Sequence, residues 1–185
     1  MQSTPMTRQD KTFQVGFSLD SMTIANPANA AENATGNALR FASERLGVED
    51  AAALVRAGDA RATSYWQFAL AKEVATYLGA LDADVQAIFL AEYDATPEDV
   101  CFSEIRPASP IHLIVLVKRK TAALNALING IDRALIESCR QCLNLDQLAH
   151  VLDVQVVDEV DVDQRVGYGA LLSSIHHKPI QIWSR

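Results

Sequence analysis

The sequence predicts an α+β fold, a mixed β-sheet flanked by helices with a helical region ahead of it. Three observations carry that prediction. Two long stretches repeat apolar residues every three or four positions, several short apolar runs are too brief for helices, and beyond residue 84 the two patterns alternate. Of 185 residues, 49% are apolar and 21% charged, the balance of an ordinary globular unit with a small helical annex. Disordered, collagen-like and disulfide-scaffold classes are excluded, the last because three cysteines, Cys101, Cys139 and Cys142, cannot all pair.

In chain order, residues 1–32 read as an amino-terminal arm, with one alternating patch, Phe13–Leu19, whose period of two suits an edge strand. Residues 33–80 read as a helical region. Leu39, Ala42 and Leu46 sit at helical spacing in Asn37–Leu46 before Gly47, and Val48–Ala57 repeats the arrangement before Gly58. A longer helix starts at Thr63 or Ser64 and runs to Leu78. Its stripe is Trp66, Leu70, Val74 and Leu78, and Gly79 is expected just beyond its end.

Residues 81–185 read as the sheet-bearing core. Asp84–Tyr93 is a short, nearly continuous apolar run and hence a buried strand. Thr96-Pro97-Glu98-Asp99 supplies a cap, a proline at the first helical position and two acids in the first turn, so a two-turn helix is expected there. Ile111–Val117 is a second buried strand. From Thr121 to Cys142 the positions Leu124, Leu127, Ile128, Ile131, Leu135, Ile136 and Cys139 mark the strongest helix in the chain. Val151–Val157 reads as a third strand, Val166–Ser174 as a last helix and Ile180–Trp183 as a final strand.

Charge narrows the partners. The net charge is −7, from 16 basic and 23 acidic residues, and the stretch 144–163 contains six acids without a Lys or Arg. Such surfaces repel phosphate backbones, so nucleic-acid binding is not expected. Arg40, Arg45, Arg56 and Arg61 are interleaved with Glu44, Glu49, Asp50 and Asp59, which leaves no basic recognition face. The compact cluster Lys118-Arg119-Lys120 reads as a solvated strand end. The longest apolar run, Ile111–Val117, is far shorter than the roughly 18–20 residues of a membrane span. The opening MQSTPMTRQDKTF has none of the marks of a secretory signal, and a cytoplasmic location is expected.

Most local motifs have ordinary readings. Cys139-x-x-Cys142 lies within the apolar stripe of a helix and reads as core packing. His176-His177 reads as an exposed loop, and Gly167-Tyr168-Gly169 as a turn. Ser173 and Ser174 lack the glycines of a nucleophile elbow.

The ordered series of segments is more informative. A helix leading into Val85-Gln86-Ala87-Ile88-Phe89-Leu90, a short helix, and then Ser109-Pro110-Ile111-His112-Leu113-Ile114-Val115-Leu116-Val117 resembles the core of the nucleotidyltransferase fold. In that family a Gly-Ser pair after the first strand holds the triphosphate, an Asp-x-Asp pair on the second binds metal, and a later strand adds a third carboxylate. The resemblance places the Gly-Ser pair at Ala91-Glu92, the two aspartates at Pro110 and His112, and the third carboxylate at Asp153. It therefore implies a degenerate site. Mg²⁺ requires hard oxygen ligands, whereas Pro110 offers none and His112 offers nitrogen.

The expected role is that of a catalytically defective, nucleotidyltransferase-like binding or assembly module without a cofactor. Its partner would be another protein or a second copy, met through the sheet edge or the helix 121–142. The alternative is a divergent metal-dependent nucleotidyltransferase. There Glu92, Asp94 and Asp153 would converge with His112 on Mg²⁺ or Mn²⁺ with a bound nucleotide.

Overall fold

A computed structural model describes residues 26–91, 109–146, 148–174 and 179–185. The expected edge strand at Phe13–Leu19, the helix at Thr96 and the paired histidines at 176–177 lie outside the described residues. The chain is α+β, with a four-stranded mixed sheet flanked by helices.

The first helix, α1, runs over Pro27–Leu46 and so begins ten residues before Asn37, inside the segment read as an arm. The signal for its start is local. Asn26 accepts from the backbone N–H of Ala28, Pro27 occupies the first helical turn, and Gly47 closes the helix at φ 67°. The buried stripe of α1, however, is Ala31, Ala34, Ala38 and Ala42 rather than leucine or isoleucine. Small side chains allow close backbone approach to two other helices while giving little hydrophobic periodicity to read.

The second helix, α2, spans Ala51–Arg56 behind an Asp50 cap. The third, α3, spans Ala60–Leu81, capped by Asp59 through Ala62 N, and it continues through Gly79 instead of ending there. Gly79 is set by packing. A Cβ at that position would stand 2.2 Å from Cζ2 of Trp183, so the absence of a side chain lets the indole lie against the helix. Arg185 reinforces the contact by donating from Nη2 to the carbonyls of Gly79 (2.7 Å) and Asp82 (3.2 Å) at the carboxyl end of α3.

The strands are β1 (Val85–Leu90), β2 (Ile111–Val117), β3 (Leu152–Asp158) and β4 (Ile180–Ser184), in the order β3-β2-β1-β4. β1 is antiparallel to both β2 and β4, while β2 and β3 are parallel. Parallel neighbours need a long crossover, supplied by the helix α4, Ala122–Leu143. Thr121 caps it through Leu124 N, and Asn144 ends it in a left-handed conformation at φ 50°.

Two short helices follow β3. The expected helix over Val166–Ser174 is reduced to one turn, α6 (Gly169–Leu172), whereas the acidic stretch Glu159–Gln164 forms α5. A reciprocal cap between Asp158 and Asp161 explains α5, which has no buried residue and hence no stripe to announce it.

One face of the sheet carries the core. Ile88, Leu90, Leu113, Val115 and Val117 meet Trp66, Leu70, Val74 and Leu78 of α3 and Leu124, Ile131 and Leu135 of α4, all within one buried cluster. Alternation along the strands sends His112, Ile114, Leu116, Asp153, Gln155 and Val157 to the opposite face. Cys139 is fully buried, but Cys142 is exposed, so the helical Cys-x-x-Cys is only half core packing. Burial pushes the Cys139 thiol up to about 12, and at neutral pH it is no nucleophile.

Candidate functional site

The parallel register of β2 and β3 sets His112 level with Asp153 on the face away from the core. His112 Nδ1 lies 2.9 Å from Asp153 Oδ2, with side-chain exposures of 25% and 39%. The carboxylate can only accept, so the shared proton belongs to Nδ1. The other oxygen, Oδ1, accepts from Gln155 Nε2 at 3.0 Å. Both carboxylate oxygens thus have side-chain donors.

Two more of the sequence-nominated positions meet here. The backbone N–H of Ala91, immediately after β1, donates to the carbonyl of His112 at 2.9 Å. Pro110 immediately precedes β2 and is half-buried. The structure therefore brings Ala91, His112 and Asp153 together at the β1–β2–β3 junction. Glu92 and Asp94 lie outside the described residues.

As a metal site this set is poor. It offers one nitrogen and one carboxylate whose oxygens are both engaged, whereas Mg²⁺ requires several hard oxygens in near-octahedral order. Among the described residues no group of three or more His, Cys, Asp and Glu side chains is arranged to hold a metal ion.

A second His–Asp pair, not nominated from the sequence, stands at the entry to β3. Asp132 of α4 is buried and accepts from Val151 N (2.8 Å) and Leu152 N (2.9 Å) through Oδ1, while Oδ2 lies 2.8 Å from His150 Nδ1. The imidazole itself is 70% exposed. One signal was present in the sequence. A lone carboxylate beside Ile128, Ile131 and Leu135 on a buried stripe needs donors from the element packed over it.

The basic run after β2 is tied down by acids. Arg119 Nη2 is 3.1 Å from Asp84 Oδ2, and Lys120 reaches both Asp158 (3.8 Å) and Asp161. The hydrogen bond from Lys120, followed by one from the Asp158 backbone, holds the Asp161 carboxyl below the usual carboxylate range, and Asp161 raises Lys120 in return. Elsewhere, burial pushes the Glu73 carboxyl up, although Asn37, Arg40 and Lys72 work in the opposite direction.

No helix among the described residues is long and apolar enough to cross a membrane. No family model, no curated protein and no solved structure matches the chain.

Proposed function

We propose that the chain is a noncatalytic binding or assembly module with a nucleotidyltransferase-like core, working in the cytoplasm with a protein partner or a second copy. The observation that carries this reading is the state of Asp153. Its Oδ2 faces His112 Nδ1 at 2.9 Å and its Oδ1 accepts from Gln155. A metal at either oxygen would compete with these donors for the charge of the carboxylate. At the other two positions where the resemblance expects metal-binding aspartates, Pro110 has no side-chain oxygen and His112 is the partner of Asp153 itself.

Calorimetric titration with ATP and with GTP, first with Mg²⁺ and then with Mn²⁺, tests the reading. The expected result is no saturable heat in any combination. Metal-dependent saturation that disappears in Asp153→Asn would instead establish the alternative, in which Glu92 and Asp94 join Asp153 around a divalent ion. Mg²⁺-dependent transfer of a nucleotide to an acceptor would refute the noncatalytic reading outright.

A further inference from the structure

Among the described strands the sheet has two edges, β4 and β3, and they differ in construction. β4 is five residues long and its pairing with β1 shifts register between Ile88 and Phe89, an irregularity of the kind that blunts an edge. β3 is seven residues long and pairs with β2 in unbroken register from Leu152 to Asp158. An even, uninterrupted edge is a template for another strand.

The hydrogen-bond parity of β3 follows from one contact. Ile111 sits level with Leu152 and donates to the carbonyl of Val151 at 2.8 Å. In a parallel ladder a residue bonds to the two neighbours of the one opposite it. The N–H groups of Asp153, Gln155 and Val157 therefore point toward β2, and those of Leu152, Val154, Val156 and Asp158 point outward.

The two outermost of these outward donors are already occupied by carboxylates. Leu152 N donates to Asp132 Oδ1 at 2.9 Å, and Asp158 N donates to Asp161 Oδ2 at 3.2 Å. Each carboxylate is fixed from behind, Asp132 by His150 and Val151 N, and Asp161 by Lys120. Between them, the N–H groups of Val154 and Val156 have no hydrogen-bond partner among the described residues.

We infer that Asp132 and Asp161 are edge guards, which keep β3 from pairing with the β3 of a second copy. An incoming strand would have to displace an anchored carboxylate at either end. The stretch left open between them, residues 153–157, offers an incoming strand only two unoccupied outward N–H groups, those of Val154 and Val156. This inference concerns the edge alone and stands whether or not the binding-module reading holds.

Removing one guard tests it. Asp161→Ala frees the N–H of Asp158 while leaving the sheet core untouched, and circular dichroism checks that the variant folds. In sedimentation equilibrium the weight-average mass of Asp161→Ala is expected to rise about twofold over wild type at high protein concentration, as for a two-fold dimer. Adding Val154→Pro, which deletes an outward donor, is expected to reverse the rise. Amide hydrogen exchange on dilute wild type supplies a readout independent of association. Leu152 and Asp158 should exchange slowly, Val154 and Val156 fast, and Asp158 should accelerate in Asp161→Ala. The inference is overturned if Asp161→Ala keeps the wild-type mass, if wild type already associates in a manner that Val154→Pro abolishes, or if Val154 and Val156 are as protected as their guarded neighbours.

Discussion

Two His–Asp pairs meet the chain at the start of β3, one through His150 and the other through Asp153, with nearly the same Nδ1–Oδ2 distance, and their surroundings make them different objects. Asp132 is buried, reaches from a helix to the first residues of a strand, and accepts from two backbone amides as well as His150. Asp153 is half-exposed, lies on the sheet face away from the core and, among the described residues, accepts from the side chains of His112 and Gln155. The same pair of residue types joins two elements in one place and decorates a surface in the other. Unsatisfied buried amides are costly, whereas half-exposed partners can turn to water.

The largest effect expected from this contrast is at Asp132. Asp132→Ala leaves two strand amides without their acceptor and should destabilise the fold by about 2–4 kcal/mol in urea unfolding. Asp132→Asn, which retains one acceptor oxygen, should lose clearly less. A change below that of an ordinary surface substitution would show that the α4–β3 tie contributes nothing.

Gly79→Ala comes next. The added Cβ meets the Trp183 indole at 2.2 Å, so the ring and the end of β4 must shift, at a cost of about 1–3 kcal/mol. Combined with Trp183→Leu, the substitution should become nearly neutral, and a double-mutant cycle measures that coupling. Additive losses would place the cost elsewhere.

At the surface pair, His112→Ala and Asp153→Asn should each change stability by about 1 kcal/mol or less. Equality with the Asp132 variants would erase the distinction between the two pairs.

The smallest effects are in pH dependence, where two carboxylates act with opposite signs. Asp161 is held below its ordinary range, so its contribution is present above pH 3.8 and is lost as pH falls through the folded value. Glu73 is raised by burial. Its contribution is fullest below 4.5 and declines as pH rises through the folded value. Lys120→Met should therefore flatten the acid limb of an unfolding-versus-pH profile below pH 3.8, and Glu73→Gln should flatten the slope just above 4.5. Unchanged profiles would refute both assignments.

What the sequence reveals follows the size of the buried side chains. β2 is legible because Ile111, Leu113, Val115 and Val117 are all large, apolar and buried, and α4 because its stripe is leucine and isoleucine. The first turns of α1 are hidden by alanine, and α5 by the lack of any buried residue. At the site, the sequence presents His112 and Asp153 as separate motif positions. Their meeting depends on the β2–β3 register, which no local pattern encodes. Asp132 is hard to read from the sequence because a polar residue on an apolar helix face gains its partners from the strand packed above it.

The central claim, that Asp153 is committed to His112 rather than to a metal, is tested most directly by following the imidazole NMR signals of His112 and His150 during titration with Mn²⁺. His112 is expected to keep its Nδ1 proton and to broaden no more than His150. Selective paramagnetic loss of the His112 signals at stoichiometric Mn²⁺, abolished by Asp153→Asn, would contradict it.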